Sequence, residues 1–183
     1  MEAFLVSTGL VALAEMGDKT QLLSLVLAAR FRRPWPIVLG ILVSTVANHA
    51  LAAAVGSWIA AQVGPYWMRI AIGAGFLAMA AWALVPDKAD AAAIHGGSVF
   101  IATCLAFFLA EMGDKTQIAT VALAARYTAA FGAVVLGTTT GMMLANVPVV
   151  FLGERIAARL PLKLLRRIAA GAFAVLGILA FVA

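Results

Sequence analysis

The chain has 183 residues, 64% of them hydrophobic and 11% charged, whereas a soluble domain carries about 25% charged residues. With a mean hydropathy of +1.05, this excludes an ordinary water-soluble enzyme or binding domain. The lone Cys104 excludes a disulfide framework or a cysteine-rich metal site, and the net charge of +5 sits mostly in short breaks between apolar runs, where it reads as a topology signal and not as a nucleic-acid surface.

A bilayer span needs about 20 apolar residues. Six runs reach or approach that length, at roughly 3–29, 37–61, 69–85, 98–125, 129–152 and 167–183. The first is too long and too charged for a cleavable signal peptide, and it opens on Glu2 where a basic residue would be needed. Continuous apolar runs predict helices and not the alternating strands of a barrel. The expected class is an all-α integral membrane protein of six transmembrane helices, with the bilayer as its surroundings and no nucleic-acid partner.

The first, third and fifth breaks hold nine basic residues, from Arg30 to Arg167. The second and fourth hold two, Arg69 and Arg126. The positive-inside rule then puts both termini outside. Trp35, Trp58, Trp67 and Trp82 fall near span ends, as interfacial anchors do.

The chain also repeats itself. Ala14 to Arg30 and Ala110 to Arg126 agree at 12 of 17 positions, at an offset of 96. Weaker echoes follow in the same order: Val38-Leu39-Gly40 with Val135-Leu136-Gly137, Ala47-Asn48 with Ala145-Asn146, and Arg69-Ile70-Ala71 with Arg167-Ile168-Ala169. The chain divides into a three-helix repeat at 1–85, a cytoplasmic linker at 86–97 and a second three-helix repeat at 98–183. Three is odd, so the second half enters from the opposite side. Inverted-topology repeats of this kind mark transporters, with the site at the repeat interface near mid-membrane.

The repeated heptapeptide carries the chemistry. Glu15-Met16-Gly17-Asp18-Lys19-Thr20-Gln21 recurs as Glu111-Met112-Gly113-Asp114-Lys115-Thr116-Gln117. Each copy lies near the middle of a long run, which places four carboxylates and two ammonium groups near the bilayer centre. At about 2.5–3.5 kcal/mol per charge, exposing all six to lipid would cost on the order of 15–20 kcal/mol. They must face protein or a wet cavity. On a continuous helix Glu15, Asp18 and Lys19 share one face, as do Glu111, Asp114 and Lys115. Gly17 and Gly113 admit close backbone approach or a local unwinding that frees carbonyls. If the copies meet, the carboxylates, Thr20, Thr116, Gln21 and Gln117 form an all-oxygen cluster, the ligand type of calcium, manganese or magnesium. Lys19 and Lys115 balance its charge. The plainer alternative, each lysine paired with its own glutamate as helix glue, gains little over apolar packing.

Asn48 and Asn146 are further candidates, as metal ligands or as interhelical hydrogen bonds. Pro148 should kink the helix after Asn146. His49 matches Val147 in the other half and is either a proton relay, a softer ligand or a satisfied lone histidine. Cys104 reads as packing, and Asp87, Asp90 and Glu154 as solvated.

Two copies of Glu-x-Gly-Asp-Lys-Thr in a six-helix chain resemble the transmembrane protein 165 family over essentially the whole sequence. That family includes Golgi calcium/manganese–proton antiporters and bacterial manganese exporters of the MneA type. The resemblance implies a secondary active transporter exchanging manganese or calcium for protons, with no permanently bound cofactor. It maps the family's carboxylates onto Glu15, Asp18, Glu111 and Asp114. The absence of a targeting peptide points to a bacterial inner (plasma) membrane. Three other readings compete. An exporter of small amino acids or organic cations would need an aromatic pocket, and the aromatics lie mostly outside the motif helices. A membrane-embedded metal hydrolase would need a histidine pair or a nucleophile with its base. A passive channel would not couple metal movement to protons.

Overall fold

The computed structural model describes residues 1–85, 98–153 and 161–182. In chain order the helices are α1 (Glu2–Glu15), α2 (Lys19–Phe31), α3 (Pro34–Gln62), α4 (Pro65–Ala83), α5 (Val99–Glu111), α6 (Lys115–Arg126), α7 (Phe131–Leu152) and α8 (Leu162–Val182). A 3-10 turn at Thr128–Ala130 leads into α7. Four helical segments, Pro34–Gln62, Pro65–Ala83, Thr128–Leu152 and Lys163–Val182, are long and apolar enough to cross a membrane. The fold is all-helical and of the membrane class.

Punctuation follows local chemistry. Pro34 and Pro65 open α3 and α4, where a missing N–H costs nothing. Arg32, at φ 52°, ends α2 and returns its N–H to Ala28 O. α7 runs through Pro148 to Leu152.

The first and fourth apolar runs depart from expectation. Each folds as two shorter helices, α1 with α2 and α5 with α6, broken inside the heptapeptide. The breaks match: Met16 lies at φ −65°, ψ 111° and Met112 at φ −61°, ψ 117°. Asp18 and Asp114 are likewise extended, at φ −85° and −82°. Between them Gly17 and Gly113 take φ 83° and 73°, a conformation glycine adopts without a Cβ clash. The shared helical face expected for Glu15, Asp18 and Lys19, and for Glu111, Asp114 and Lys115, is therefore corrected. Glu15 and Glu111 end one helix, and Lys19 and Lys115 begin the next.

Packing crosses between the halves. α1 lies along α7 as α5 lies along α3; α6 packs on α3 as α2 does on α7; α3 meets α7 and α4 meets α8. Glycines admit close helix–helix approaches, the tightest at Gly56, where a Cβ would stand 2.2 Å from Val121 O. A Cβ on Gly40 would stand 2.7 Å from Thr103 Cβ, and one on Gly137 would stand 2.6 Å from Phe4 O. Phe76 and Phe173 meet between α4 and α8 with ring centroids 6.2 Å apart.

Trp35, Trp58, Trp67 and Trp82 are all exposed, as are Leu39, Leu105, Leu136 and Val175 on four different helices. Apolar surface of that extent needs a bilayer against it. The expected linker 86–97, with Asp87 and Asp90, and Glu154 of the last break lie outside the described residues.

Candidate metal centre

Helix ends and backbone breaks build the site. At each break one helix presents its C-terminal carbonyls and another its N-terminal N–H groups, and both need partners. Asp114 caps α6: its Oδ1 accepts from Gln117 N at 2.8 Å and from Thr116 Oγ1 at 3.1 Å. Gln21 Oε1 accepts the Gly17 N–H at 2.9 Å, and Gln117 Oε1 the Gly113 N–H at 2.7 Å. Gln21 Nε2 also donates to Ala145 O at 2.8 Å. Each glutamine straps its own glycine turn, and Gln21 ties that turn to α7.

Three carboxylates converge. Glu15, Asp18 and Asp114 are buried and each offers an oxygen within 4.8 Å of the others. Oxygens sharing an ion at about 2.3–2.6 Å lie no more than about 5 Å apart, so the three can hold one divalent cation. Glu15 Oε1 and Asp114 Oδ2 are buried with no hydrogen bond among the described residues. They are buried acceptors without a donor, and a cation would satisfy them. Thr20 Oγ1 donates to the other Glu15 oxygen.

Glu111 stands apart from this trio. Its Oε1 accepts from Thr45 Oγ1 at 2.8 Å and its Oε2 from Asn48 Nδ2 at 3.2 Å. It remains in electrostatic range of Glu15. Asn48 Nδ2 also donates to Phe108 O at 3.1 Å, which leaves Asn48 Oδ1 buried and open. Asn146 is occupied differently. Its Oδ1 accepts from Ser24 Oγ at 2.8 Å, and its Nδ2 donates to Met142 O at 3.1 Å. His49 is fully buried with both ring nitrogens unbonded among the described residues.

The lysines cross over. Lys19 acts electrostatically on Glu111 and Asp114 of the other copy. Lys115 is buried, donates to Val85 O at 3.3 Å, and shares the lining of a small cavity with Asp18 and Arg166.

Sequence reasoning passed over Thr45 and Ser24. Both carried a signal. Thr45 sits one helical turn before Asn48 on the same face, and Ser24 occupies the repeat place of Thr120, so a hydroxyl recurs in both copies.

A family model described as "Divalent cation/proton antiporter GDT1" matches residues 3–91 and 99–183. The chain belongs to this family. It is a membrane transporter of divalent cations and not an enzyme. A relative from Vibrio cholerae serotype O1, named "Putative manganese exporter", is 50% identical over 174 residues, covering 94% of this chain and 87% of the relative. No solved structure matches the chain. The family assignment agrees with the resemblance carried by the doubled heptapeptide.

Proposed function

We propose that this chain exports manganese in exchange for protons. The observation that carries this reading is the trio Glu15, Asp18 and Asp114, three buried carboxylates drawn from both heptapeptides, each with an oxygen within 4.8 Å of the others. An oxygen-only set suits manganese or calcium alike; the name of the Vibrio relative tips the choice to manganese. The trio binds the metal directly, with Glu111 as the fourth carboxylate. Asn48 Oδ1 and the hydroxyls of Thr20 and Thr116 complete the shell, and Gln21, Gln117 and Asn146 hold its walls. Lys19 and Lys115 balance charge. The metal is cargo, and no resident cofactor is needed.

The two halves act as inverted three-helix repeats in a six-span arrangement, with α1–α2 and α5–α6 as the broken spans. Contacts that recur with the halves exchanged support it. Both termini lie outside the inner membrane and the basic segment from Gly153 to Arg167 faces the cytoplasm, as the basic bias requires. A cysteine at Lys163 in a Cys104→Ala background should be labelled only after permeabilisation. Labelling from outside intact cells would refute this topology and the inverted repeat with it.

Charge sets the coupling. Four carboxylates and two ammonium groups leave two net negative charges, which one divalent cation neutralises and two protons neutralise equally. An empty, doubly negative site is costly to carry through a low-dielectric gate, so the cycle exchanges one metal for two protons. Proteoliposomes with an imposed pH gradient and a panel of divalent metals test the function. Manganese should accumulate against its gradient, and a valinomycin-clamped potential should leave the flux unchanged. Manganese flux that moves no protons in return would indicate a channel.

A further inference from the structure

The two basic residues on the sparsely charged side, Arg69 and Arg126, have no topological reason to be there, since positive charge gathers on the other side. They lie 57 residues apart, in different halves of the chain. Both line one cavity of about 450 Å³ between the end of α3, the start of α4 and the end of α6. That is within the usual range of a ligand pocket, about 300–1,000 Å³.

The cavity has two characters. Val63, Met68 and Ile72 make an apolar wall, whereas Arg69, Arg126 and Tyr127 make a polar one, and no acidic side chain lines it among the described residues. Arg69 Nη2 donates to Phe181 O at 3.0 Å, which anchors the guanidinium and leaves its other N–H groups available. The Arg126 guanidinium lies 5.6 Å from the centroid of the Tyr127 ring. Its Nε is buried with no hydrogen bond among the described residues, an unpaired donor that is costly unless something accepts from it. Glu2 is the nearby acid, and its Oε1 takes the Tyr127 hydroxyl at 2.9 Å.

Aromatic side chains fix the level. Trp58, Tyr66 and Trp67 stand around this end of the molecule at 65%, 67% and 66% exposure, as side chains at the lipid headgroup level do. Two guanidiniums at that depth, over an apolar wall, match a phosphodiester with acyl chains below it. Guanidinium forks are built for phosphate. A choline headgroup would bring its own cation against them.

We infer that the cavity between α3, α4 and α6 is a binding site for an anionic phospholipid, its phosphate held by Arg69 and Arg126. The ligand joins the two halves at a place remote from the carboxylate trio. Phosphatidylglycerol titrated into the full-length protein in detergent, followed by native mass spectrometry, tests it, with phosphatidylcholine and inorganic phosphate as separate arms. Phosphatidylglycerol should bind preferentially, and the Arg69→Gln/Arg126→Gln protein should bind it about ten-fold or more weakly. Val63→Trp fills the apolar wall while keeping both guanidiniums, and should lose phosphatidylglycerol comparably; it decides the matter if the double variant does not fold. Equal binding of the two lipids, or retention by a folded variant, would overturn the site. Displacement of phosphatidylglycerol by millimolar phosphate would overturn the lipid and leave a soluble-anion site.

Discussion

The two heptapeptides are identical in sequence and unlike in surroundings. In the first, Glu15 bonds within its own copy, to Thr20, and keeps one oxygen open toward Asp18 and Asp114. In the second, Glu111 gives both oxygens to α3, through Thr45 and Asn48. The first turn is half-buried beside Ala83, Arg166 and Ala169, whereas Met112 of the second is 55% exposed. The difference begins outside the motif. At the offset of 98 that pairs Asn48 with Asn146, Thr45 pairs with Met143, which has no hydroxyl to donate. A repeated motif therefore supplies the same groups twice, and the neighbouring helix decides which group is free to bind.

The sharpest way to break this comparison is to remove charge from either copy. Glu15→Gln, Asp18→Asn and Asp114→Asn keep volume and most hydrogen bonds, and each should lower manganese transport by about 100-fold or more in proteoliposomes. Glu111→Gln should also abolish transport. If it does, equilibrium metal binding by that variant separates a ligand from a group that acts only in coupling. Full activity in any of the four would overturn the four-carboxylate site.

A smaller effect sharpens the asymmetry. Thr45→Ala and Asn48→Ala free Glu111 from its donors and should weaken metal affinity by about 10- to 100-fold, the usual range for partners of a ligand. Met143→Ala should change affinity little, since Met143 holds no carboxylate in this arrangement. Isothermal titration of the purified protein with manganese measures all three. Equal losses at Thr45 and Met143 would mean the two copies are equivalent in solution.

Stability compares the halves once more. Gly137→Ala drives a Cβ to 2.6 Å from the Phe4 carbonyl oxygen, and Gly40→Ala drives one to 2.7 Å from Thr103 Cβ, which the backbone holds in place, with Phe100 O at 3.1 Å. Each should cost about 1–3 kcal/mol, because neither obstacle moves without its backbone. Gly113→Ala has open space around its Cβ, so its cost is the strain of φ 73° alone, about 1–2 kcal/mol. Thermal unfolding in detergent ranks the three.

How much of this could be read in advance differs from residue to residue. The carboxylates were legible because charge in an apolar run has no cheap explanation. Gly17 and Gly113 were legible as places where unwinding could occur, but periodicity assumes a helix that continues, and so it put Glu15, Asp18 and Lys19 on one face. Arg69 and Arg126 looked like residual charges in two separate breaks until α4 and α6 brought them to a single cavity.

Membrane class, all-helical fold, the doubled motif and the family assignment follow from the sequence alone. Hydrocarbon charges a cost per residue that composition records directly, and a repeat is visible without coordinates. Tertiary structure decided that each motif straddles a helix break, that Glu15 lies beside Asp18 and Asp114 with an oxygen of each within 4.8 Å of the others, and that Glu111 is held by Thr45. These depend on which helices touch. Contacts between residues about 60 to 125 apart in the chain, such as Thr45 with Glu111 or Ser24 with Asn146, are set by the packing of whole helices, which no local pattern encodes.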